Sequence, residues 1–214
     1  MSLSVLKIKY SQSFEVKRIQ NTLLEYGWFL EQGYRVNLPK SIAEKLRLNQ
    51  VVEKQDIKTA VALEFNEDFY KKRAAKLKEQ WNKIQKVFFA NLKTLGGPLP
   101  KFYNVYLTKY GVGGSYHLPN TVILNLNYGS RENIVHTVAH EMVHLAIEKW
   151  VQKYNLSHWD KEWLVDTILY RILPGYKKLQ KKPKNIRGYS KIFKRCFPNM
   201  ELLIKEISGY KPLT

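Results

Sequence analysis

Between Tyr70 and Leu92 the apolar residues Tyr70, Ala74, Leu77, Trp81, Ile84, Phe88 and Leu92 step by threes and fours, which lays them along one stripe of a helix. Asn66 stands where an N-cap is needed, and Gly96-Gly97-Pro98-Leu99-Pro100 ends the run. The spacing therefore predicts one long amphipathic helix over 66–95, whose stripe must be covered by a second layer. The following residues can supply it. Phe102 to Thr108 and Asn120 to Leu126 read as strands, separated by the glycine-rich turn Tyr110-Gly111-Val112-Gly113-Gly114-Ser115. That turn is not a phosphate loop, because no Gly-Lys-Ser/Thr follows and no G-x-G-x-x-G is completed. Helices are then expected from about Arg131 to Tyr154, capped by Ser130, and from about Trp159 to Ile172, ended by Pro174-Gly175.

Ahead of the long helix, residues 5–10 alternate like a strand, and Val16, Ile19, Leu23 and Tyr26 carry helical spacing. Gly27 and Gly33 punctuate a short apolar segment, Ser41 can cap a short helix to about Leu46, and Ile57 to Phe65 reads as a strand. The expected organisation is a small N-terminal α/β module over 1–65, a core over 66–175 and a basic segment over 176–214. The fold class is α+β, with a small antiparallel or mixed sheet packed on the helix that begins near Arg131, a second helix crossing below, and the 66–95 helix as backing.

Three of the five histidines, His136, His140 and His144, recur every four residues on one expected helix. A turn of about 3.6 residues puts His140 and His144 on one face, close enough for both imidazoles to reach a single Zn²⁺. Glu141 lies about 100° around the helix from His140, flanking such an ion without having to bind it. This is the H-E-x-x-H pattern, in which two histidines hold zinc and the glutamate is the general base. A shuffled chain of this composition would produce it in fewer than about one trial in a hundred. The competing reading is a pair of packed helix histidines.

A catalytic zinc needs a third protein ligand and an open position. Glu162 and Asp166 are four apart, so on a helix they share a face: Glu162 is the favoured third ligand, and Asp166 can accept the N–H of a ligand histidine. His158 is the alternative ligand. Glu148 sits one turn beyond His144 but reads better as solvated, and His136 reads as a supporting or merely packed residue. Tyr116, His117, Arg187 and Tyr189 are conceivable donors to an oxyanion. The strand before the motif helix, Val122-Ile123-Leu124, can offer an edge to an extended peptide.

With these residues the chain resembles the gluzincin metallopeptidases, especially the small minigluzincins, in which a glutamate ligand and an aspartate four residues on follow H-E-x-x-H. Here Glu162-Trp163-Leu164-Val165-Asp166 has that form, with seventeen residues intervening after His144. The resemblance implies a zincin-like core and a zinc-dependent hydrolase acting on a protein or peptide substrate. A second resemblance is to the SprT-like proteases, through His158 followed by Glu162-Trp163; these often act at DNA. Both cover only about residues 115–170.

Cys196 is the only cysteine, so neither an intrachain disulfide nor a cysteine-based zinc ribbon can form, and a cytoplasmic setting is the natural expectation. No apolar run approaches the roughly 18 residues that span a bilayer, so no membrane association is expected. Against 18 acids stand 36 Lys and Arg, a formal +18, which attracts polyanions and raises nucleic acid as a partner. From Thr167 to Met200 there are ten Lys/Arg and no acid, interleaved with Tyr176, Tyr189, Phe193 and Phe197. A basic nucleic-acid-binding protein with a non-catalytic metal site is the reading from a different class.

Overall fold

The computed structural model describes residues 4–97, 99–127, 134–173, 175–176 and 186–210. In chain order the elements are β1 (Val5–Lys9), α1 (Gln12–Leu24), α2 (Tyr26–Glu31), α3 (Lys40–Arg47), α4 (Lys54–Glu64), α5 (Glu67–Lys93), β2 (Phe102–Thr108), β3 (Gly114–His117), β4 (Thr121–Asn125), α6 (Ile134–Lys153), α7 (His158–Ile172), α8 (Ile186–Cys196) and α9 (Met200–Ser208). The fold is α+β. The strands form one mixed sheet in the order β1-β2-β4-β3; β1, β2 and β4 are parallel and β3 runs antiparallel along β4. Helices α1 to α5 make the crossover that the parallel β1–β2 pair requires, and β3 carries the chain back between β2 and β4.

The pleat sorts side chains by face. Leu6 pairs with Tyr103, Ile8 with Val105, Val105 with Val122, and Leu107 with Leu124, so these residues share one face and join the main apolar core. Helix α5 covers part of that core with Tyr70, Leu77, Trp81, Phe88 and Leu92, and the Phe89 ring stacks on Tyr103 with centroids 6.1 Å apart. Its cap is Asn66, whose side chain accepts from the Phe69 N–H at 2.9 Å. On the opposite face of the sheet Tyr106 stacks on Phe14 of α1.

Helix α6 is buried nearly all round, packed among β3, β4, α5, α7 and α9. It is therefore a central element and not a surface helix. Gly97 makes one of these contacts possible, since a Cβ there would meet the Ala146 carbonyl oxygen of α6 at 2.0 Å.

The segment read as an N-terminal module supplies β1 to the common sheet and four helices, of which α1, α3 and α4 form a small apolar cluster of Ile19, Ile42, Ile57, Ala60 and Val61, joined by Tyr110 from the turn after β2. Ile57 to Phe65 is not a strand: it falls in α4, with Phe65 as C-cap. Glu53 and Asp56 form a capping box that starts the helix, and Ile57, Ala60 and Val61 then bury one helical face. Helix α3 likewise begins after Pro39, which leaves Ser41 inside it and not at its cap. The Ser130 cap, residues 131–133 and Pro174 lie outside the described residues. At the C-terminal end α8 and α9 pack together, and α9 also packs on α6, so Ile192, Phe193, Leu203 and Ile204 belong to the main core. No helix of the described residues is long and apolar enough to cross a membrane.

Candidate metal centre

Two helices build the site. Along α6 the i, i+4 spacing turns His140 and His144 to one side, and α7, capped by Ser157, packs against it with Glu162 and Asp166 one turn apart. His140 Nε2 and His144 Nε2 lie 3.0 Å apart. Glu162 completes the triangle, with Oε2 3.2 Å from His140 Nε2 and Oε1 3.3 Å from His144 Nε2. All three residues are buried, and their donor atoms lie within 4.8 Å of one another. Four donors placed tetrahedrally about 2.05 Å from a zinc ion stand about 3.3 Å apart, so this spacing suits such an ion.

The chemistry of the donors points the same way. The Asp166 carboxylate faces His140 Nδ1 at 3.1 Å and can only accept from it, which leaves Nε2 of a neutral His140 as a lone pair. Tyr176 donates to the same Asp166 oxygen at 2.5 Å. An imidazole lone pair, a second imidazole nitrogen and a carboxylate thus converge on one buried point, a set that could hold a metal ion. His144 Nδ1 is buried with no hydrogen-bond partner among the described residues. The His144 ring is instead held by Tyr116 of β3, stacked at 4.7 Å and 10°. Tyr116 donates its hydroxyl proton to Glu148 at 2.7 Å and accepts from Lys161 Nζ at 2.9 Å.

Without a cation the protonation states are divided. Burial disfavours a charged His140, yet its hydrogen bonds to Asp166 and Glu162 push its pKa up to about 10. Burial lowers His144 to about 4. Burial also raises Glu162, but His144 and His140 outweigh it and hold the carboxyl well below the usual carboxylate range. Glu141, 6 % exposed, is pushed up to about 7, first by burial. Its carboxylate lies against Gly114, where a Cβ would come within 2.3 Å of Oε1.

The centre opens into a cleft of about 600 Å³. One wall is β3 with Gly113; another comes from α1 and α2 through Arg18, Trp28 and Phe29, and from Tyr34 just after α2. His158 also lines this cleft but stands apart from the donor triangle: Tyr34 Oη is 2.7 Å from its Nε2, and Trp28 meets its ring edge-on at 5.3 Å. His136 meets Tyr176 edge-on at 5.5 Å. Of the four oxyanion candidates, Tyr116 and His117 line the cleft. Arg187 lies in a separate groove between α8 and α9, and Tyr189 is buried beside Trp163. The edge strand on the side of the cleft is β3, because β4 is paired on both sides; β1 forms the opposite edge of the sheet. Sequence reasoning missed this strand, as it missed Arg18 and the link from Tyr176 to Asp166; the Ser115 to His117 stretch after the glycines was the available signal for β3.

This chain matches no known protein family, no curated protein and no solved structure.

Proposed function

We propose that the cleft is that of a metal-dependent hydrolase. More particularly, the chain is proposed to be a zinc peptidase of gluzincin type on a zincin-like core, with His140, His144 and Glu162 as ligands and Glu141 as general base. The observation that carries this reading is the convergence of three buried donors beside a carboxylate that is not one of them. Zn²⁺ bound there supplies a Lewis acid toward a substrate carbonyl.

The other roles fall to the chain. Asp166, steadied by Tyr176, orients His140. Glu141 takes a proton from the attacking water and passes it to the leaving amine, and its burial, which raises its pKa, favours a carboxyl that can hold that proton between the two steps. Gly114 leaves room for that carboxylate. The outer edge of β3 can take an extended protein or peptide substrate by main-chain hydrogen bonds. The cytoplasm is part of the proposal, since a single buried cysteine suits a reducing compartment. The SprT-like alternative finds less support, because its third histidine, His158, is engaged by Tyr34.

The test is a pair of variants. Glu141→Gln is expected to retain one zinc per chain while losing peptide cleavage, and His140→Ala to lose the zinc. Wild-type cleavage by Glu141→Gln would remove the base from the mechanism and the proposal with it.

A further inference from the structure

Arg18 is a buried cation with no ion-pair partner among the described residues. It lies on α1, 7 % exposed, and lines the same cleft as His140 and Glu141. Its Nε reaches only the Tyr110 carbonyl, at 3.5 Å, and Nη2 has no hydrogen-bond partner among the described residues. The acids that act on it, Glu25, Glu141 and Glu15, do so through the field; none of the described carboxylates forms an ion pair with it. Glu15 is committed elsewhere, accepting from Tyr70, Thr108 and the Lys109 N–H. Burying a guanidinium without an ion-pair partner costs stability, and a chain that does so in a cleft keeps the charge available for a ligand.

The position of Arg18 says which end of a ligand it meets. Its guanidinium packs on Gly111, where a Cβ would come within 2.6 Å of Nε, and Glu141 packs on Gly114. Three peptide units separate these glycines, a span of at most about 11 Å. Antiparallel addition is the slightly more stable mode, and a peptide added that way to β3 runs from His117 toward Gly114. Its C-terminal end therefore lies at the Gly114 end of β3; beyond it the Gly111 N–H and C=O pair with Asn37, so the strand edge stops there, and Arg18, which lines the same cleft, is a cation within reach of that span.

We propose that Arg18 is the binding residue for the terminal carboxylate of a peptide, so that the cleft takes substrates whose free C-terminus lies within about three residues of the bond to be cleaved. This rests on the peptidase reading above. Hydrolysis breaks the C–N bond, places the water oxygen in a new carboxylate, and leaves both water protons on the released amine as ammonium. The product is a short C-terminal fragment.

Binding can be read without turnover in the full-length Glu141→Gln chain. By titration calorimetry, N-acetyl-tetra-alanine with a free carboxylate is expected to bind at least tenfold more tightly than its C-terminal amide. Adding Arg18→Met is expected to erase that preference while melting at or above the parent temperature, because an unpaired buried charge has been removed. Equal or no binding of the two peptides overturns the inference; so does a preference that survives Arg18→Met, or a large fall in melting temperature that marks Arg18 as structural. A carboxylate preference without cleavage by the wild-type chain would sink only the peptidase reading, whereas cleavage without the preference would sink only this one.

Discussion

At the scale of single residues the third donor decides the chemistry. Glu162 makes two contacts below 3.5 Å with the imidazoles, and His158 makes none with them that the geometry records. Glu162→Ala is accordingly expected to weaken zinc binding by two orders of magnitude or more, and His158→Ala to change it by less than threefold, in competition with a chromophoric chelator; the reverse order would restore the histidine ligand set. The same experiment carries a pH dependence. In the metal-free site His140 holds its proton up to about pH 10, so a cation must displace that proton across the neutral range. Affinity should rise about tenfold per pH unit between pH 6 and 8, and a flat profile would mean that His140 is not displaced. His140, Glu141, His144, Glu162 and Asp166 were legible in the sequence because each relation is a spacing of one to four residues along a helix. Tyr176 on Asp166, Tyr116 on His144 and Arg18 beside Gly111 were not, since none is a relation within one helix or strand and only the packing of separate segments brings them together.

At the scale of elements, periodicity explains which segments could be read. α5 shows its stripe over many turns, and α6 and α7 follow from apolar spacing and clear ends. α4 was misread because Ile57 to Phe65 is short and rich in residues that suit either state, while the capping box that decides for helix lies just ahead of them. β3 was hidden because a glycine-rich stretch reads as a turn, although here small residues let a strand approach α6. That approach has a testable cost. An alanine methyl at position 114 would sit 2.3 Å from Glu141 Oε1 and 2.9 Å from Thr137 Cγ2, so the buried carboxylate must move. A displacement of about 1 Å in a catalytic group costs about a hundredfold in rate. Gly114→Ala should therefore lower kcat by roughly that factor while leaving zinc affinity within threefold of wild type, because the atoms nearest the added methyl belong to Glu141 and Thr137 and to none of His140, His144 and Glu162. Unchanged kcat would show that Glu141 need not lie where it does.

At the scale of the whole molecule most of the basic charge lies outside the cleft, which only Arg18, Arg73 and Lys161 of the described Lys and Arg residues line. The formal +18 favours polyanions, and its best-defined expression among the described residues is α8, where Arg187, Lys191 and Arg195 recur every four residues along one side. They line a groove of about 680 Å³ with Lys205 of α9 that shares no residue with the cleft at Glu141. Arg195 is partly satisfied by Glu206 at 2.9 Å, whereas neither Arg187 nor Lys191 has an ion-pair partner among the described residues. Counterion release makes the contribution of such cations measurable: each phosphate contact on a single strand adds about 0.7 unit to the slope of log affinity against log salt. Single-stranded RNA is expected to bind with a steep slope, and the double variant Arg187→Glu, Lys191→Glu to reduce it by about 1.4 units. Zinc content should not change, since no ligand lies on α8 or α9. If the slope survives this double reversal, the polyanion does not lie along α8, and the excess charge acts through the surface as a whole.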